Sequence, residues 1–248
     1  DKQCESAVAI LQASENLLNI INDILDLSKI ESGRMELEEE PFFLRDVINN
    51  VADMFAIKLA EKSLDLIVEV DPDVPEQMSG DALRLGQVMI NLVNNAIKFT
   101  HEGHVGIRIN KLETAGDLHL QFEILDTGIG MSQETVDKLF REYTQAEAST
   151  AREYGGTGLG LCISKSIIEQ MQGTIKVKSE VGLGSSFIFD IRAGDLEHSG
   201  SYLPEKLLIG KTVLVVDENR HRLEQIEALI EYQGGKVMHV ASVSEVIS

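Results

Sequence analysis

Residues 152–165 read REYGGTGLGLCISK, placing Gly155, Gly156, Gly158 and Gly160 within six positions before an apolar run. Glycine admits positive φ and lets a ligand approach the backbone closely. A glycine-rich turn that opens a helix aims N–H groups and the helix dipole at an anion. The chemistry offered is phosphate binding, although such a loop alone reads equally well as a surface turn. Upstream, DALRLGQVMINLVNNAIKFT sets Asn91, Asn95 and Lys98 at i, i+4 and i+7, so two carboxamides and an ammonium share one helix face. Carboxamide oxygens are hard ligands suited to Mg²⁺, and a lysine meets phosphate as a point charge. An isolated Asn-Asn pair would instead be a solvated surface feature. A third segment, ILDTGIGM, ends an apolar strand on Asp126 and turns tightly at Gly128 and Gly130. A carboxylate there can accept a hydrogen bond from an adenine amino group, or merely cap its own turn. VGLGSSF adds Gly182 and Gly184, by themselves only a hairpin turn.

These segments need a scaffold, and the hydrophobic pattern predicts one. Residues 5–31 repeat apolar positions at three, four and seven, with Ile10, Leu11, Leu17, Leu18, Ile21, Ile24 and Leu25 on one stripe. A helix of that length requires a hairpin or bundle partner, and Ser32-Gly33 ends it. An α+β domain is expected over 42–193. It has helices at 44–60, 81–99 (N-cap Asp81) and 159–171, a short helix capped by Ser132, and strands at 64–70, 105–112, 118–125, 174–179 and 186–191. Residues 71–80, with Pro72 and Pro75, read as loop. Strands and helices do not alternate strictly, which predicts a mixed sheet with helices on one face. A linker is expected at 194–209. Residues 210–248 then open a further domain, with strands at 211–216 and 236–241 around a helix at 223–231.

The formal net charge of −19, from 41 acidic and 22 basic residues, excludes the basic stripe a nucleic-acid partner requires. It leaves room for an anionic ligand held by local cations and backbone N–H groups. No run approaches the roughly 18 apolar residues of a membrane span. Cys4 and Cys162 are too few for a disulfide framework and lack metal-ligand spacing, which suits a reducing cytoplasm.

Taken together and in order, NLVNNAIKFT, DTGIGM, FREYTQ, GGTGLGL and GLGSSF closely resemble the catalytic ATP-binding domain of sensor histidine kinases. That domain belongs to the Bergerat-fold (GHKL) group shared with gyrase, Hsp90 and MutL ATPases. The resemblance implies a Bergerat α/β sandwich that binds ATP and Mg²⁺. It makes Asn91 the Mg²⁺ ligand with Asn95 beside it, sets Lys98 on phosphate and Phe99 against the nucleotide, and gives the adenine amino group to Asp126, supported by Gly128 and Gly130. Gly156, Thr157, Gly158, Leu159 and Gly160 become the hinge and phosphate end of a lid running from about Tyr143. Arg84 resembles the arginine near the terminal phosphate.

The resemblance extends outward. LLNIINDILDLSKIESGRMELE (residues 17–38) resembles the second helix of the dimerisation and histidine-phosphotransfer hairpin of hybrid kinases, so residues 1–33 are assigned to that helix and 34–41 to a connector. VLVVDENR resembles the start of a flavodoxin-like receiver domain, with Asp217 and Glu218 in its acidic Mg²⁺ cluster. The implied protein is a hybrid histidine kinase, homodimeric at full length, with a receiver or response regulator as partner and any membrane anchor upstream. The family's acceptor histidine, in a Ser-His-Glu-x-x-x-Pro context, matches none of His101, His104, His119, His198, His221 or His239; it is expected upstream of Asp1. Two other readings are a degenerate kinase acting as a binding module, which the intact Asn91, Asp126 and glycine set opposes, and a non-kinase GHKL ATPase. The long entry helix and the receiver-like end oppose the second.

Overall fold

A computed structural model describes residues 2–112, 118–140, 158–196, 208–216 and 220–240. Helix α1 (Lys2–Glu31) is followed by strand β1 (Glu40–Phe43), helix α2 (Leu44–Lys62) and strands β2 (Asp65–Val70) and β3 (Gln77–Gly80). Helix α3 (Ala82–Phe99), strands β4 (His104–Leu112) and β5 (Leu118–Asp126), and the single-turn helix α4 (Gln133–Val136) come next. After helix α5 (Gly160–Gln170) the chain forms the hairpin β6 (Ile175–Glu180) and β7 (Gly184–Asp195), then β8 (Thr212–Val216), helix α6 (Arg220–Tyr232) and β9 (Lys236–Val240).

Seven strands make one sheet in the order β1-β3-β7-β5-β4-β2, with β6 also paired to β7. Only β2 and β4 run parallel; the other pairs of this sheet are antiparallel, so the sheet is mixed. β7 is long enough to serve two neighbours on one edge, β6 through residues 184–189 and β3 through residues 194–195. Two corrections to the sequence reading follow. β1 begins in the last two residues of the expected connector, and the last four residues of the expected loop at 71–80 form β3; each strand is four residues long and the two pair with each other.

The strands that carry the core alternate as a one-sided sheet must. In β5, Leu118, Leu120, Phe122, Ile124 and Asp126 are buried and the residues between them less so. They face α2, α3 and α5, whose Val51, Phe55, Leu85, Met89, Leu92 and Ile167 belong to the same core. Phe122 and Phe189 stack at 4.9 Å beneath those helices. The opposite face is polar, and there Arg108 donates to Glu69 (2.6 Å) and Glu123 (2.8 Å). α1 behaves differently: Leu17, Leu18, Ile21, Ile24 and Leu25 lie exposed, while Leu27 and Ile30 near its end pack on the core. β8 and β9 form a separate parallel pair. Among the described residues no helix is long and apolar enough to cross a membrane.

Candidate functional site

α3 is the element on which the site is built. Asp81 caps it, accepting from the Arg84 N–H at 2.9 Å through one carboxylate oxygen. The other oxygen accepts from the Glu38 N–H at 3.1 Å, so the segment before β1 is tied to the same helix end. At the far end Lys62 of α2 donates to the carbonyls of Ile97 (2.6 Å), Lys98 (3.3 Å) and Thr100 (3.2 Å). A cation on the last carbonyls satisfies orphan acceptors and complements the dipole. Leu85, Val88, Met89, Leu92, Val93, Ala96 and Ile97 are buried, which turns Arg84, Gln87, Asn91, Asn95 and Lys98 onto the opposite, half-buried face.

Midway along that face Asn91 meets α5. Its Nδ2 donates to Ser164 Oγ at 2.8 Å, and Ser164 is itself 2% exposed. With the amide nitrogen so engaged, Oδ1 is the atom left for a ligand. A Cβ on Gly160 would stand 2.5 Å from that Oδ1. Glycine at the first position of α5 is therefore a steric condition for Asn91 to occupy its place. Lys98 Nζ lies 5.0 Å from the centroid of Phe99, and burial lowers its pKa from the ordinary lysine value.

The second part of the site forms where α3 ends and β5 ends. The Asp126 carboxylate accepts from the Gly128 N–H at 2.8 Å, and the Ile129 N–H donates to the Phe99 carbonyl at 3.2 Å. A side chain at Gly128 would overlap that same carbonyl. Gly130, at φ +64°, and Gly184, at φ +100°, are packed against the carbonyls of Glu180 and Asp126, with no space for a Cβ. The β6–β7 turn is stitched to this loop: Gly182 N–H donates to the Ile129 carbonyl (2.7 Å), and Met131 N–H donates to Ser179 Oγ (2.8 Å). Asp126 is 7% exposed. Burial raises its pKa above the ordinary carboxylate value, partly offset by hydrogen bonds from Gly128 and Ser185.

The structure thus brings together Asn91 with Gly160, and Asp126 with Gly128, Gly130 and the end of α3. Asn95 and Lys98 share the face of Asn91, and Gly158 (φ +70°) and Leu159 lead into α5. Arg84 points elsewhere: its Nη1 donates to Asp26 of α1 (3.0 Å) and to Gln87 (2.7 Å). Gly156, Thr157, Asp217 and Glu218 lie outside the described residues. The chemistry of the donor set fits Mg²⁺ in one way only. Among the described residues no cluster of three His, Cys, Asp or Glu side chains could cage a metal. The chain offers neutral carboxamide oxygen, so a cation here would rest mainly on the ligand's phosphates and water, as Mg²⁺ usually does. Sequence reasoning missed Ser164, Lys62 and Ser179, whose roles come from partners 73, 35 to 38 and 48 residues away.

Comparison with known proteins gives the family of the domain that carries these residues. The histidine kinase-, DNA gyrase B-, and HSP90-like ATPase family matches residues 80–195, which run from the end of β3 to the end of β7. The sensor histidine kinase GacS of Pseudomonas protegens is 40% identical over 237 residues, 95% of this chain and 26% of that protein. The signal transduction histidine-protein kinase BarA of Escherichia coli K12 is 39% identical over 215 residues, 85% of this chain and 23% of that protein. The chain therefore spans about a quarter of the length of these relatives. Among solved structures, full-length ShkA in complex with AMPPNP superposes with a TM-score of 0.79 at 24% identity, over 100% of this chain and 50% of that one; it shares the fold.

Proposed function

Because residues 80–195 are a domain of the histidine kinase-, DNA gyrase B-, and HSP90-like ATPase family, we propose that the chain is the ATP-binding catalytic core of a hybrid sensor histidine kinase, and that its parent transfers the terminal phosphoryl group of ATP to a histidine upstream of Asp1. The single observation that carries the reading is the span of α3. The helix presents Asn91 beside the glycine start of α5, and eight residues later its last carbonyl holds the turn after Asp126. At 1.5 Å per residue these points are about 12 Å apart along the axis. That separation suits a nucleotide with its base at one end and its phosphates at the other.

In this reading Asp126 accepts from the adenine amino group, and the hydrogen bonds of Ile129 with Phe99 and Gly182 hold the turn, with Gly128 and Gly130 bare so that the base can approach the backbone. Phe99 lies against the nucleotide. Asn91 offers Oδ1 to Mg²⁺, held in that orientation by Ser164; Mg²⁺, when bound, would neutralise phosphate charge. Asn95 and Lys98 meet the phosphates, joined by Gly156, Thr157, Gly158, Leu159 and Gly160. In the transfer a neutral imidazole nitrogen bonds to the terminal phosphorus while the bond to the bridging oxygen breaks, and ADP leaves. The protein's contribution is to position and to neutralise charge. Asp217 and Glu218 would join the acidic cluster of a receiver, the next acceptor in a phosphorelay. The exposed stripe of α1 would pair in a homodimeric four-helix bundle.

The test is phosphoryl transfer by a longer form that includes the preceding hairpin helix. Incubated with ATP labelled at the terminal phosphate, it should acquire an acid-labile, alkali-stable label that Asn91→Ala abolishes. A form that binds ATP but never labels itself or a partner would leave a binding module in place of a kinase.

A further inference from the structure

The end of α3 is held by one ammonium group. Lys62, the last residue of α2, donates from Nζ to the carbonyls of Ile97 (2.6 Å), Lys98 (3.3 Å) and Thr100 (3.2 Å). An ammonium has three donors, and here three carbonyls stand within their reach. α2 itself closes on a left-handed residue, Ser63 at φ 54°, and the N–H groups of Ser63 and Leu64 turn back onto the carbonyls of Ala60 and Leu59. α3 instead leaves through Thr100 in extended backbone, at φ −101° and ψ 126°. Lys62 does for α3 what the left-handed turn does for α2. The Phe99 carbonyl, which lies between those that Lys62 holds, accepts from the Ile129 N–H at 3.2 Å. Gly128 is seated on the same oxygen, since a Cβ there would stand 2.3 Å from it. From Gly128 one further bond, its N–H to the Asp126 carboxylate at 2.8 Å, completes the path.

We infer that Lys62 is a positioning residue for the choice of base. By fixing the carbonyls on either side of Phe99 it sets the oxygen on which the turn after β5 is seated, and with it the place of the Asp126 carboxylate. The inference rests on the nucleotide reading above, in which that carboxylate accepts from the adenine amino group. Selection by a single acceptor depends on where the acceptor stands. Inosine triphosphate carries an oxygen in place of the amino group, so a fixed carboxylate meets acceptor with acceptor. A carboxylate free to shift takes the neighbouring ring N–H of inosine instead, and the discrimination shrinks. A site rejects the wrong group strongly only while its own polar atoms are left unpaired by it. The phosphate end is affected less, because Asn91 stands eight residues before Phe99 on α3, or about 12 Å back along the axis.

The experiment measures binding of ATP and inosine triphosphate, each with Mg²⁺, to the whole chain and to Lys62→Met, Lys62→Gln and Lys62→Arg. Lys62→Met keeps the apolar stem and removes the donors; the ATP-to-inosine-triphosphate affinity ratio should fall about fivefold, the order of one hydrogen bond. Lys62→Gln, with two donors on a shorter stem, should show a smaller fall and guards against a methionine variant that does not fold. Lys62→Arg should restore most of the ratio. Lys58→Met removes the same charge one turn earlier on α2, from a lysine whose Nζ meets the Asn94 side chain at 3.5 Å, and should leave the ratio unchanged. In the nucleotide-free chain the Ile129 amide should exchange faster in Lys62→Met than in the wild type. An unchanged ratio in folded Lys62→Met and Lys62→Gln, both nucleotides weakening alike, overturns this proposal alone and leaves Lys62 a helix cap. Binding of neither nucleotide to the folded wild type overturns the nucleotide reading and the proposal with it.

Discussion

In the proposed site, Asp126, hydrogen-bonded by Gly128 and Ser185, and Asn91, hydrogen-bonded to Ser164, are each assigned a ligand contact as well. For Asp126 the acid side of the pH scale is diagnostic. Burial raises its folded pKa. Between the unfolded and folded values the native state holds the extra proton, so this group stabilises the fold at low pH and that contribution fades as pH rises through the folded value. Binding of an adenine amino group runs the opposite way, because it needs the ionised acceptor. Adenine nucleotide affinity should fall on acidification while the fold persists, and Asp126→Asn should flatten that profile and cost roughly 10- to 100-fold in affinity, the usual worth of a hydrogen bond to a charged group. Titration calorimetry across pH checks both, and an unchanged profile in the variant would remove Asp126 from the site. For Asn91 the expected dependence is on Ser164. Ser164→Ala should weaken Mg²⁺-dependent binding by about tenfold, the worth of one hydrogen bond, and leave metal-free binding alone. Equal loss with and without the metal would mean that Ser164 only packs. Asn91 and Asp126 could be read from the sequence because glycines and apolar runs frame them locally. Ser164 and Lys62 could not: a serine inside an apolar helix and a lysine at a helix end are ordinary until the fold supplies Asn91 and the α3 carbonyls.

At the scale of elements, two loops are locked into one another, the turn after β5 and the turn between β6 and β7. Gly130→Ala should be severely destabilising, because its φ of +64° strains any side chain and the Cβ would overlap the Glu180 carbonyl. Gly182, at φ +82°, has nothing within 4 Å of its Cβ position. Gly182→Ala should therefore show the strain alone, about 1–2 kcal/mol. Urea denaturation compares the two; similar losses would mean that the packing of the turns adds nothing. The α3, α5, β4 and β5 segments were legible because the period holds over nine to eighteen residues, and for α3 the Asp81 cap agrees with it. β1 and β3 were not. EPFF follows an acidic run and QMSG follows two prolines, and neither has the length or composition to announce a strand. β1 exists because β3 offers it hydrogen bonds, and β3 because β1 and the tail of β7 do.

For the molecule as a whole, the mixed sheet with helices on one face followed from strands and helices that do not alternate strictly, and the order of the glycine and asparagine segments carried the family. What the pattern did not carry is how α1 attaches: Asp26, Arg84 and Gln87 are unremarkable polar residues until the two helices meet. The charge of −19 acts on the whole chain. Self-repulsion of 41 acidic against 22 basic residues should be relieved by salt, so Tm should rise with added NaCl in the absence of nucleotide; a Tm that falls would show that local ion pairs such as Arg84–Asp26 and Arg108–Glu69 outweigh the global field. The nucleotide site is tested most directly by calorimetry of ATP binding to the folded chain, with and without Mg²⁺, beside Asn91→Ala and Asp126→Asn. Magnesium-dependent binding to the wild type, with Asn91→Ala losing the dependence on the metal and Asp126→Asn losing most of the affinity, is the expected result. No binding to the folded wild type, or binding indifferent to both substitutions, would contradict a nucleotide site spanning α3 from Asn91 to the turn at Asp126.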